Sequence, residues 1–264
     1  NREKEKAEVE YAEDFLQTGG MSIFGNAFYR NLGDGRFEEI SDRIGAETYW
    51  PWGLSTGDLN ADGYEDVFIT SSMNSPWRYG VNSLLLNNKG SGFLDSEFIL
   101  GVEPRRDGRT AKPWFELDCS NADQHHRLCK DRSGHFVVWG ALGSRSSVIF
   151  DLDGDGDLDI VTNEFNAEPM VLISDLSAKR DIRFLKVRLT GSQSNRDGLG
   201  ATIAVKAGGQ TYTKVHDGQS GYLSQSLYPL YFGLGDATTV EQIEVRWPSG
   251  QIQTVPGPLE VNTL

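Results

Sequence analysis

Beyond residue 20 the apolar positions come in short runs set apart by Gly, Asn and Asp, and hardly any stretch carries a helical period. Val67-Phe68-Ile69-Thr70 and Val148-Ile149-Phe150 are β-branched and aromatic, which predicts strands. Ile23-Phe24 and Ala27-Phe28-Tyr29 lead into Asn31-Leu32-Gly33-Asp34-Gly35-Arg36-Phe37, a tight turn with glycine where positive φ is wanted. The same order of strand, Asn-Gly-rich turn and Phe returns from Leu84 to Phe93. Such self-similarity predicts a propeller or solenoid, because each unit alone cannot bury its apolar face. Exceptions to the strand pattern stand at the front and in the middle. Residues 1–17 are charged, with Tyr11, Ala12, Phe15 and Leu16 at helical spacing before Gly19-Gly20, and predict a short amphipathic helix or leader. Residues 104–138 are rich in Arg, Asp, His and Pro and predict a long inserted loop.

A second texture begins after the polar stretch 175–181. Phe184, Leu185, Val187 and Leu189 are followed by a turn at 194–201, then Ile203 and Val205, a Gly208-Gly209 hairpin turn, and Tyr212. Further short strands at Tyr231-Phe232 and Ile243 to Trp247 predict a compact antiparallel sandwich or barrel.

The most informative chemistry lies in two acidic loops. Asp151, Asp153 and Asp155 occupy positions one, three and five of a loop with Gly156 at six, the main-chain oxygen of Asp157 at seven and Asp159 at nine. Carboxylates so close require a cation, and a hard ion that takes only oxygen ligands from a short loop is Ca²⁺. An EF-hand is excluded, since its position twelve needs Glu and here that position is Thr162. Asp58, Asn60, Asp62 and Asp66 repeat the offsets with Gly63 at six, and again a strand follows. Two calcium sites are therefore expected.

The formal net charge of -13 argues against nucleic acid and anionic membranes as partners. No apolar run is long enough to insert in a bilayer, and the first residue is Asn, as expected of a processed chain or a piece of a longer one. Cys119 and Cys129 predict a local disulfide in an oxidising compartment, with a zinc site including His125 or His126 and two free thiols as alternatives. Candidate bases (His125, His126, His135, His216) and nucleophiles (Ser146, Ser147, Ser224, Ser226) have no nucleophile-elbow context. Trp50, Trp52, Trp77, Tyr79, Trp114 and Trp139 are expected mostly in blade packing, and Arg196-Asp197 as a salt bridge fixing its turn.

The turn 31–37 with Trp52-Gly53 and the Asp58 loop, and Ser147 to Phe150 with the Asp151 loop, resemble FG-GAP or VCBS repeats of seven-bladed β-propellers such as those of integrin α-subunits. That resemblance implies the carbonyls of Tyr64 and Asp157 as further calcium ligands. Gly198-Leu199-Gly200-Ala201, Gly221 to Ser226, Tyr231 to Gly235 and Val245-Arg246-Trp247-Pro248-Ser249-Gly250 closely resemble the ASPIC/UnbV domain of the cartilage acidic protein-like family. The expected fold is all-β: calcium-binding propeller blades over 21–180, a partial propeller of about three blades with an insertion at 104–138, then a small β-sandwich-like domain over 181–264, after a leader over 1–20. The missing blades would be absent from this piece or supplied by another chain. The expected role is an extracellular, periplasmic or cell-surface calcium-binding structural or adhesion protein. It would engage a protein partner, a copy of itself or carbohydrate without catalysis. The alternative is an extracellular polysaccharide-active hydrolase or lyase, favoured by a cleft with paired carboxylates outside the metal loops.

Overall fold

The computed structural model describes residues 26–48, 51–72, 79–165 and 167–264. The helix expected over 1–17, the Ile23-Phe24 run, Trp50 and Trp77 lie outside these residues. In chain order the first half comprises β1 (Tyr29–Gly33), β2 (Arg36–Glu39), the single turn α1 (Ser41–Ile44), β3 (Pro51–Gly57), β4 (Asp66–Ser71), β5 (Ser83–Asn87) and β6 (Phe93–Asp95). There follow β7 (Ala111–Asp118), β8 (His135–Ala141), β9 (Ser144–Phe150), β10 (Asp159–Glu164), β11 (Met170–Leu172) and the turn α2 (Leu176–Lys179). The C-terminal part comprises β12 (Phe184–Val187), β13 (Thr202–Ala207), β14 (Gln210–Val215), β15 (Gln219–Ser220), β16 (Ser224–Gln225), β17 (Leu230–Gly233), β18 (Thr239–Arg246) and β19 (Ile252–Glu260).

The protein is all-β. β3-β4-β5-β6 is a four-stranded antiparallel sheet and β9-β10-β11 a three-stranded one, each in sequential meander order as a propeller blade requires. β1 and β2 form a separate hairpin, and no closed propeller forms among the described residues, in keeping with a partial one. Phe68, Leu84, Val102 and Ile160 join the two larger sheets in one buried cluster. The first strands of these sheets, β3 and β9, lie against each other, and the Ser55 hydroxyl makes a 2.7 Å hydrogen bond with that of Ser147.

In the C-terminal part β14-β13-β18-β19 is a twisted antiparallel sheet, with β12 paired to β17. Ile203, Val205, Phe232, Leu234 and Val240 bury its core, which alternates at period two as half-buried strands must. The expected Gly208-Gly209 turn joins β13 to β14, with both glycines at positive φ.

Two expectations need correction. Residues 104–138 are not a structureless loop, because β7 and β8 pair from Ala111↔Ala141 to Asp118↔His135 as a two-stranded ribbon. Pro113 and the register shift beside it break the alternation by which a strand is read from sequence. Nor are all of the described tryptophans core, although Trp247 packs against the C-terminal cluster. Trp52, Trp114 and Trp139 are all exposed, Trp139 to 55%. The Cys119–Cys129 disulfide is present at the ribbon's tip, packed with Leu117 and Val138, which removes the zinc and free-thiol alternatives.

Candidate metal centres

The two acidic loops share one hydrogen-bonding frame. Position one accepts from the position-six amide, Asp58 from Gly63 at 2.7 Å and Asp151 from Gly156 at 2.9 Å. Position three accepts from the amide of position five, Asn60 from Asp62 and Asp153 from Asp155. Position five accepts from position seven in the same way, Asp62 from Tyr64 and Asp155 from Asp157. One oxygen of position nine closes the loop on the position-two amide, Asp66 on Leu59 and Asp159 on Leu152, each at 2.8 Å. Its other oxygen ties the loop to the third strand's end, Asp66 to the amide of Asn87 and Asp159 to that of Ser174. Each loop thus joins the paired strands β3–β4 or β9–β10 with its carboxylates already gathered.

Glycine at position six is required, since Gly63 and Gly156 stand at φ 92 and 101. Position four also has positive φ, in Ala61 at 54 and Gly154 at 84, and the Ala in one copy hides that requirement from the sequence. Asp151, Asp153 and Asp159 each bring a carboxylate oxygen within 4.8 Å of the others, the only such trio of acids, histidines or cysteines among the described residues. In the first loop Asn60 takes the place of the second acid.

The electrostatics fit a cation. Burial pushes the Asp58 and Asp66 carboxyls up to about 7 against several opposing backbone hydrogen bonds, and burial also raises Asp159. At Asp155 burial is outweighed by the Ser177 hydroxyl and the Asp157 amide, and its carboxyl is lowered. One oxygen of Asp157 is buried without a hydrogen-bond partner, while the other accepts from the Ser177 amide. An all-oxygen donor set, partly buried, suits Ca²⁺. Asp151, Asp153, Asp155 and Asp159 would hold it in the second loop, and Asp58, Asn60, Asp62 and Asp66 in the first. The Tyr64 and Asp157 carbonyls would add main-chain oxygens.

What covers these loops is not encoded in any local pattern. The C-terminal part lies directly on both. The Tyr231 hydroxyl donates to the Gly156 carbonyl at 3.1 Å, and Lys186 pairs with Asp151. Gly233 abuts the Asp58 carboxylate so closely that a Cβ there would lie 1.8 Å from Oδ2. Cβ atoms at Gly63 and Gly156 would each meet an aromatic ring at 2.5 Å, Tyr212 and Phe184 respectively. Ala61, Leu158, Ile182, Phe184 and Tyr231 form a separate buried cluster at this seam.

The other candidates are dispersed. Ser147 joins Ser55 and Ser220, and Ser146 contacts Ser224, so these hydroxyls fasten the C-terminal part to β3 and β9. His126 accepts from the Leu128 amide at the ribbon's tip, far along the chain from the buried His216. The expected Arg196–Asp197 salt bridge is not among the described ion pairs. Asn195 fixes that turn instead, with both ends of its carboxamide on the Leu199 backbone.

Two families match parts of the chain. Residues 14–69, which include the first acidic loop, match the FG-GAP-like repeat, and residues 191–263 match the family described as ASPIC and UnbV. The chain is 23% identical over 256 residues to cartilage acidic protein 1 of Xenopus tropicalis, covering 87% of this chain and 39% of the relative. With cartilage acidic protein 1 of Homo sapiens the identity is 24% over 253 residues, covering 86% and 38%. The chain thus spans about two-fifths of the length of these curated relatives. It carries an FG-GAP-like repeat and an ASPIC and UnbV domain, and is weakly similar to cartilage acidic protein 1 over most of its length.

Proposed function

We propose that the chain is an extracellular or cell-surface structural and adhesion module in which two calcium ions fasten blade-like sheets to the C-terminal domain. The observation that carries this reading is the shared frame of the two loops: five equivalent backbone-to-side-chain hydrogen bonds recur in both copies. Each frame collects oxygen donors where a C-terminal strand packs on it. Calcium there would relieve the cost of burying carboxylates and so hold the seam shut.

Several features support interaction over catalysis. Of the acids lining the large cavity at the seam, Glu65 is paired with Lys214 and Asp151 with Lys186, which leaves Asp217 as the one without an ion-pair partner there. Phe98, Ile99 and Leu100 form an exposed apolar run, Ile99 to 84%, of the kind that engages another protein chain or a second copy. The disulfide fits an oxidising compartment, and no helix among the described residues is long and apolar enough to cross a membrane. Thermal unfolding with and without millimolar calcium tests the reading. A ligand bound only by the folded state raises the melting temperature, whereas an unchanged melting temperature after chelation would overturn it.

A further inference from the structure

At the seam two cavities, of about 750 Å³ and about 200 Å³, share a wall made by Arg188, His216, Tyr228 and Pro229. The larger one lies between the first strands of the two blade-like sheets and the C-terminal domain, a usual place and size for a ligand site. Its two lysines are already neutralised, Lys186 by Asp151 and Lys214 by Glu65. Arg188 in the shared wall and Arg196 in the smaller cavity are different. Both are exposed, and neither guanidinium has a carboxylate or hydrogen-bond partner among the described residues. Two arginines without a carboxylate partner thus line one cavity in a chain of net charge -13, which suits an anionic ligand.

The rest of the lining narrows the chemistry. Tyr228 stacks on Phe150 with ring centroids 4.1 Å apart and remains half-exposed, a flat surface suited to the C–H face of a sugar ring. Asp217 and Ser226 line the larger cavity and Asp197 the smaller, supplying acceptors for hydroxyl groups. A guanidinium pairs with a carboxylate through two parallel hydrogen bonds. We infer that the groove binds an acidic saccharide, its uronate carboxylate on Arg188 and Arg196 and a sugar ring against Tyr228. This rests on the reading of the chain as an interaction module and deepens it.

The test is calorimetric titration of the full chain, in calcium, with a hyaluronan tetrasaccharide and with neutral chitotetraose. The uronate probe should bind and the neutral one should bind at least about tenfold more weakly, the size expected from losing a charge-assisted contact. Arg188→Ala and Arg196→Ala, both at exposed positions, should each weaken the uronate probe by about tenfold. Equal binding of the two probes, no binding of either, or unchanged affinity in the arginine variants would overturn the inference. So would tighter binding of a peptide through its free carboxyl terminus. Melting the same variants with and without calcium keeps the two readings apart, because the groove can fail while the calcium response stays intact, and the reverse.

Discussion

The Tyr231 hydroxyl reaches across the seam to the carbonyl of Gly156, the residue at the sharp turn of the second acidic loop. Both residues are buried, and burial together with the nearby Asp58, Asp157, Asp151 and Asp155 carboxylates pushes the phenol well above its ordinary value, so it donates at every ordinary pH. A strand of the C-terminal domain thereby helps to shape the loop proposed to hold calcium. Tyr231→Phe leaves the Gly156 carbonyl buried without that donor and should cost about 1–2 kcal/mol. Urea unfolding with and without calcium would measure it, and the loss should include weaker calcium binding at the second loop.

Two glycines of that loop separate backbone strain from packing. Gly154 has positive φ with open space around its missing side chain, whereas a Cβ on Gly156 would strike the Phe184 ring at 2.5 Å. Gly154→Ala should cost about 1 kcal/mol. Gly156→Ala adds overpacking and should cost about 3 kcal/mol in all. Thermal unfolding of both variants checks the order, and equal costs would mean that Phe184 yields freely.

The pH dependence of the metal-free chain follows from Asp58 and Asp66. Their carboxyls are raised by burial from 3.8 to about 7, so between those values the folded state holds more protons than the unfolded one. Their contribution to stability is full below the unfolded value and is lost as pH rises through about 7. In a chelator the chain should therefore become less stable from pH 4 towards pH 7, and calcium should restore the most stability at the upper end of that window. Melting temperatures across pH, with calcium and with chelator, would reveal it.

Much of this was legible in the sequence, and the reasons for the rest are physical. The loop offsets and the position-six glycines are local, so Asp58 to Asp66 and Asp151 to Asp159 could be read directly. β3 could not be read by polarity, because its buried face is Gly53, Ser55 and Gly57 while Trp52 and Leu54 are exposed. A Cβ on Gly53 would stand 2.5 Å from the Tyr222 amide nitrogen, so close approach of the C-terminal part, and not hydrophobicity, selects that face. The covering of the loops by Phe184, Tyr212, Tyr231 and Gly233 joins residues remote in sequence, and no local pattern encodes it.

The disulfide should act on its own ground. Cys119 and Cys129 belong to a cluster with Leu117 and Val138 that shares no buried member with the clusters of the two larger sheets or the seam. Replacing both cysteines by serine should cost about 2–3 kcal/mol by freeing a short loop. Hydrogen exchange should rise at the tip of β7 and β8 while the melting shift produced by calcium persists.

Calorimetric titration of calcium into the chelator-treated chain tests the central claim most directly. The account predicts two ions per chain, with Asp153→Asn weakening the second site and leaving the first. Absence of binding at millimolar calcium, or binding that ignores both loops when Asp62 and Asp153 are replaced, would contradict it.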